Sequence, residues 1–348
     1  MTETEKNEIL AAVRAALTGN TAADMEYLQG EVAKYDANEE TRPIARDILE
    51  IAYGLLTPEQ NAYRKKMLYI GERRLDEVYR EAEHLMREGK TGKALTLTRE
   101  LYEHIITNYE ETDEQRFFSF RNPLESNLYH QLYNPTKRLM KAPYDFSLFI
   151  GAHAYNLIEV RRLDEAIPVL KDAIRFNPVN PDVRFELSEV YKLQVENDKL
   201  FENICDILPI CANAYSIARC YADLGYWAVN LKDYRSATAF YYESLMIAEH
   251  PRIPGELHHI EQLTGQPIVP PNREMINAAF AKYQIYHGPG REVLHTAREL
   301  AKQAKEGERW EEAVYYYTVV TELIRDDEAM NALEQCRKEL EKLQPAQS

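Results

Sequence analysis

Gly89-Lys90-Thr91-Gly92-Lys93-Ala94 comes nearest to a chemical motif in this chain, approaching the spacing of a phosphate-binding loop. Such a loop turns backbone N–H groups toward phosphate. It needs a glycine five residues before the Gly-Lys pair and a hydroxyl after it. Arg87 and Ala94 occupy those two positions, so no nucleotide is expected here. The nine histidines form no His-Glu-x-x-His. His258 and His259 are adjacent, which on a helix turns them about 100° apart and prevents joint chelation. Cys205, Cys211, Cys220 and Cys336 form no Cys-x-x-Cys pair and read as reduced, packed thiols. The run Glu110-Glu111-Thr112-Asp113-Glu114 reads as a solvated helix end, not an acid–base pair. No nucleophile, general base or oxyanion donor has its partners. Enzyme activity, a cofactor and a metal are therefore not expected.

The elements that would carry any site are helical. Glycine (13) and proline (16) make 29 of 348 residues, about 8%, too few for a turn-rich β sandwich. Apolar residues recur with helical period nearly end to end, and strand-like alternation is missing. Thr57-Pro58-Glu59-Gln60 and Asn122-Pro123-Leu124-Glu125 carry N-cap chemistry, and Asn134-Pro135 and Asn180-Pro181 are read as two more starts. Asn272 is expected to cap the helix after the rigid Pro267 to Pro271 connector. Asp326-Asp327-Glu328 should open a last helix running through Leu343.

Small residues return at a long period. One segment holds Ala154, Leu157, Ala166, Leu170, Ala173 and Pro178, and the next holds Leu187, Ser188, Tyr191, Leu200 and Ile204. A third holds Tyr221, Leu224, Gly225, Ala228, Ala237, Tyr241 and Ser244. A fourth holds Leu300, Ala301, Ala304, Ala313, Tyr317 and Val320, and a sparser one holds Ala82, Leu85, Ala94 and Leu101. From Ala94 to Ala166 is 72 residues, to Leu200 another 34, to Ala237 another 37, and to Ala313 another 76. The long intervals are close to two periods, so degenerate helix pairs are expected over 107–145 and 250–290.

This pattern resembles the tetratricopeptide repeat (TPR), two antiparallel helices in 34 residues. The stretch from Tyr144-Asp145-Phe146 through Tyr191, then Cys220-Tyr221-Ala222-Asp223-Leu224-Gly225 and the later Gly265-Gln266-Pro267 through His287-Gly288-Pro289, is also similar to a group of uncharacterised bacterial TPR proteins, a resemblance over most of the chain from about 70 onward that implies no activity. His153 and Glu81 stand where the family prefers leucine, and Leu200 where it prefers alanine. The resemblance implies an all-α, right-handed superhelical solenoid of helix pairs with polar caps, since one pair cannot bury its apolar face alone. The expected organisation is an acidic helical cap over 1–70, degenerate pairs over 71–146 and well-matched units over 147–249. An irregular insert with the proline connector follows over 250–293, and the last unit and capping helix over 294–348.

The resemblance further implies that first helices line a concave groove. Carried over position by position, its lining is Leu148, Gly151, Tyr155, Ile158 and Glu159, then Asp182, Phe185, Glu189, Lys192 and Leu193, then Arg219, Ala222, Tyr226, Val229 and Asn230. Tyr155, Phe185 and Tyr226 are the expected anchors, with Ile158 and Glu189 beside them and Lys192, Arg219 and Asn230 orienting a bound segment. These do not form the cationic cluster with which chaperone-binding members grip a carboxyl terminus. Most of the 24 tyrosines, Tyr241-Tyr242 and Tyr315-Tyr316-Tyr317 among them, are read as packing.

The expected function is a non-catalytic adaptor or scaffold that binds a peptide or protein segment. The first alternative is a peptide-sensing regulator that docks on another protein. The second is a helical-bundle enzyme: Arg252 and His258 have a spacing similar to that of a helical ribonuclease family, but Pro254-Gly255 should break the helix they need. The net charge of −15 disfavours phosphate backbones. Residues 1–60, with 12 acidic and 5 basic side chains, disfavour a DNA-binding helix-turn-helix. Nucleic acid and membrane are not expected partners. The acidic start Met1-Thr2-Glu3-Thr4-Glu5-Lys6 lacks the basic region of a secretory signal, and a cytoplasmic location is expected.

Overall fold

Side-chain caps fix the start of about half of the described helices, and the structure, a computed structural model, describes residues 3–36 and 41–343. Parts of the expected caps, at 1–2, 37–40 and 344–348, lie outside the described residues. The chain divides into two compact units, one ending at Leu75 and the other beginning at Asp76. In the first unit, α1 (Glu3–Ala15), α2 (Thr21–Asp36) and α3 (Arg42–Gly54) close around Val13, Leu28, Ile44 and Ile48. Asp24 ties the α1–α2 turn, accepting from the Thr18 and Gly19 amides at 2.7 and 2.9 Å. The capping box of Thr57 and Gln60 forms at 3.2 and 2.9 Å and opens α4 (Pro58–Leu68). A short hairpin of β1 (Tyr69–Ile70) and β2 (Arg73–Arg74) ends the unit.

The second unit continues as α5 (Leu75–Arg87), α6 (Thr91–Asn108), β3 (Gln115–Phe118), α7 (Pro123–Tyr133) and β4 (Arg138–Lys141). Then come α8 (Phe146–Glu159), α9 (Leu163–Phe176), α10 (Pro181–Gln194), α11 (Asn197–Ile207), α12 (Ala214–Asn230) and α13 (Tyr234–Ile247). It closes with α14 (Ile253–Thr264), α15 (Arg273–Lys282), α16 (Arg291–Glu306), α17 (Trp310–Leu323) and α18 (Asp327–Leu343). Neighbouring helices pack as pairs: α8 on α9, α10 on α11, α12 on α13 and α16 on α17.

One turn design recurs in these four pairs, at the α5–α6 turn and, off their spacing, at Gln284 after α15. Gly89, Arg161, Val195, Lys232 and Glu308 all adopt positive φ between 55° and 72°, immediately after a first helix. In each case the next residue's N–H reaches back to a carbonyl five residues earlier at 2.9 Å: Lys90 to Leu85, Arg162 to Leu157, Glu196 to Tyr191, Asp233 to Ala228 and Arg309 to Ala304. This is the Schellman form, which satisfies orphan carbonyls at a helix end. The five positions are spaced by 72, 34, 37 and 76 residues, the same intervals as the small residues of the sequence.

Gly225 marks the tightest crossing between paired helices. A Cβ placed there would lie 2.5 Å from Cδ1 and Cε1 of Tyr241, a ring buried in α13. Gly225→Ala is expected to destabilise the protein by about 1–2 kcal/mol. Overpacking costs about 1–3 kcal/mol, and alanine's better helix propensity returns up to about 1 kcal/mol. Urea titration reads this directly, and a variant as stable as the parent would mean that the ring moves freely. Ala154 and Ala301 are fully buried as well.

Several expectations need correction. The 107–145 gap holds no helix pair: α7 alone lies between β3 and β4, which pair in parallel with Phe117 opposite Met140. Aromatic Phe117 and Phe118 favour strand, yet four residues are too few to show alternation. Asn134 does not start a helix. It ends α7 at φ 41°, its N–H bonded to the His130 carbonyl at 3.1 Å, because a residue before proline avoids the helical region. Pro254 does not break a helix either, lying in the first turn of α14 where its missing N–H is harmless.

The last pair does not simply extend the stack in chain order. α16 packs on α7 and on the 3₁₀ turn Leu208–Ile210, where Gly290 lies too close to the Pro209 carbonyl to admit a side chain. Leu124, Leu128, Ile210, Val293, Ala297, Ala301 and Val320 share that core, and Thr296 hydrogen-bonds Gln131 at 3.1 Å.

Candidate functional site

α10 begins where Asn180 caps the Asp182 amide at 3.0 Å with Pro181 behind it, and α12 where Asn213 caps Ser216 at 2.8 Å. These starts set the rotation of both helices. Glu186, Glu189 and Leu193 then line one side of a cleft, and Tyr215, Arg219, Ala222 and Tyr226 the other. The spacings of three and four residues keep each set on one helical face. The segment from His250 to Glu256 closes the end, giving a cleft of about 650 Å³.

A charged cluster forms the floor. The Lys192 ammonium donates to Glu189 Oε1 at 2.8 Å and to Asp223 Oδ1 at very short range. Arg219 reaches Glu189 Oε1 at 3.4 Å and lies over the Phe185 ring, 4.3 Å from its centroid. Asp223 is only 4% exposed, and its Oδ2 is buried without a partner. His250 Nδ1 is also buried without a partner. On the wall, the Tyr241 hydroxyl donates to Glu256 at 3.2 Å.

Burial works against every charge here, and the ion pairs decide which charges survive. Burial alone would lower the Lys192 ammonium, but Asp223 and Glu189 together hold it above the ordinary lysine range. Glu189 is likewise opposed by burial and ends below the usual carboxylate range through Lys192 and Arg219. Burial pushes the Asp223 and Glu186 carboxyls up, against the pull of the nearby cations. His250 is pushed down by burial, which favours the neutral ring.

Of the eight residues singled out in the sequence, Glu189, Lys192, Arg219 and Tyr226 line this cleft. Tyr155 is 44% exposed on α8 and Ile158 is half-buried there, and neither lines it. Phe185 is 2% exposed, so it supports Arg219 from beneath and is no exposed anchor. Asn230 joins α12 to α11 through Asn197 Oδ1 at 2.9 Å. Position-by-position carry-over missed Glu186, Asp223, His250 and Glu256. A signal for Asp223 was present: it is one acid inside the apolar run Cys220 to Ala228, where a charge is buried only with a partner.

Among the described residues, no group of three or more His, Cys, Asp or Glu is placed to hold a metal ion. None of the described helices is long and apolar enough to cross a membrane. His258 and His259 are exposed on α14, and His258 is paired with Glu261 and Gln262. Gly89 and Lys90 form the α5–α6 turn. No protein-family model matches the chain, and no curated sequence matches it.

Proposed function

We propose that α8 to α13 form a TPR-like, right-handed stack, and that the protein is a non-catalytic adaptor binding a peptide segment along its inner face. The observation that carries this reading is the convergence of Glu189, Lys192, Arg219 and Tyr226, from two successive first helices, on one open cleft. Aromatic and aliphatic walls from Tyr215, Tyr226 and Leu193 supply contact area, and the charged floor supplies orientation. The recurring Schellman turns and the glycine crossing at Gly225 support the repeat assignment. A reducing, cytoplasmic setting belongs to the same reading, supported by thiols at Cys211, Cys220 and Cys336 packed in the interior.

The test is a peptide library screened against the wild type and against a Tyr155→Ala/Tyr226→Ala double variant. Tyr155 extends the same inner face onto α8, and Tyr226 stands in the cleft. Peptides retained by the wild type are expected to lose about 1–3 kcal/mol of affinity for the variant, as aromatic anchors do. Unchanged retention by a variant with native circular dichroism would reject the groove.

A further inference from the structure

We propose that the segment taken up by this cleft presents an alkylammonium group, from a lysine side chain or a free amino terminus, to Glu186 and Asp223. The inference rests on the peptide-binding reading above and names the chemistry of its ligand.

The balance of donors and acceptors carries it. Of the cations that line the cleft, Lys192 is committed to Glu189 and Asp223 and Arg219 to Glu189 and the Phe185 face, while Arg252 stands exposed in the segment that closes the end. On the acceptor side, Asp223 Oδ2 has no partner although its side chain is almost wholly buried in the cleft wall. Glu186, half-buried on the facing helix, makes no hydrogen bond or ion pair among the described residues. His250 Nδ1 is a third unpartnered atom, at the end of the cleft. An orphaned buried acceptor is unfavourable until a donor reaches it.

An ammonium brings three donors and no acceptor. Those donors match the carboxylates on α10 and α12, and His250 Nδ1 before α14 in the tautomer that leaves it unprotonated. A guanidinium would ask for two acceptors side by side in its plane. Tyr226 and Tyr215 offer ring faces near which a cation is stabilised, and Leu193 and Ala222 can cover an aliphatic stem. The net charge of −15 concentrates cationic segments around the protein before they dock. An acidic segment would instead meet Glu186 head on.

Calorimetric titration at low ionic strength tests this with four pentapeptides. Three are blocked at both ends and carry lysine, acetyl-lysine or glutamate at the centre. The fourth lacks lysine and has a free amino terminus. The lysine peptide or the free-amine peptide is expected to bind at least tenfold more tightly than the acetyl-lysine peptide, and whichever does so identifies the source of the ammonium. Glu186→Gln should remove most of that preference. Carbodiimide coupling of the bound amine to Glu186 in the wild type, located by mass spectrometry, reads the same contact without a substitution. Equal binding of the acetyl-lysine or glutamate peptide would overturn the ammonium assignment and leave the groove standing. Absence of binding by all four, together with a library screen that retains nothing, would overturn the groove itself.

Discussion

Lys192→Met is expected to destabilise the protein by about 3–5 kcal/mol at neutral pH, the usual result of removing one partner from a buried ion pair. Among the described residues, Lys192 is the only cation hydrogen-bonded to Asp223, whose side chain is 4% exposed. Methionine keeps the length and the packing of the stem but leaves the carboxylate buried without compensation. The loss has a definite pH dependence. Asp223 can escape its predicament by taking up a proton, and burial already pushes its carboxyl in that direction. The deficit relative to the wild type should therefore shrink as pH is lowered from 8 to 5. Removing both partners, as Lys192→Met/Asp223→Leu, should recover most of the stability, because a buried pair is worth little more than apolar groups of similar volume. Urea titrations of the three proteins at two pH values decide the matter. A single-variant loss below about 1 kcal/mol, in the range of exposed pairs, would mean that the cluster is solvated.

His153→Leu is expected to remove a large part of the acid sensitivity of the fold. His153 is buried between α6 and α8, its Nδ1 3.1 Å from the Thr98 hydroxyl and its ring stacked on Tyr102. Burial, aided by Arg99 and Arg162, lowers its pKa from 6.5 to about 4. The folded state thus holds the neutral ring while the unfolded chain protonates. Unfolding is coupled to proton uptake, so the contribution is complete above pH 6.5 and is lost as pH falls from 6.5 toward 4. The full difference corresponds to about 3 kcal/mol. The leucine variant should show a flatter stability curve across that window. Thr98 stays satisfied in it, because its hydroxyl also reaches the Ala94 carbonyl at 3.0 Å. His250 is depressed as well, so some slope persists in the variant. Parallel curves for both proteins between pH 7 and 4.5 would show that His153 titrates normally.

The two residues differ in how they could be found. His153 was marked in the sequence as a histidine where the TPR pattern prefers leucine, and it is a core histidine with a hydroxyl partner. Lys192 is expected from its register to orient a bound segment; in the structure it lines the cleft, and its charge is held by Asp223, a residue of the next pair and 31 positions away. Phe185 shows the opposite failure. Its position matched the groove register, yet the ring is buried beneath the Arg219 guanidinium and leaves no exposed face.

Periodicity and local chemistry determined what neighbouring residues can determine: most of the helices, the caps at Thr57, Asn122, Asn180, Asn272 and Asp326, and the small residue at Gly225. Each depends on residues within one turn, or on a small side chain that must recur wherever paired helices cross. The tertiary structure alone decided that α16 returns to α7, that β3 and β4 pair across it, and that Glu186, Asp223 and His250 meet in one cleft. Those arrangements depend on which apolar faces find each other once the pairs have formed, and on charges from separate helices that become partners only when the helices are side by side.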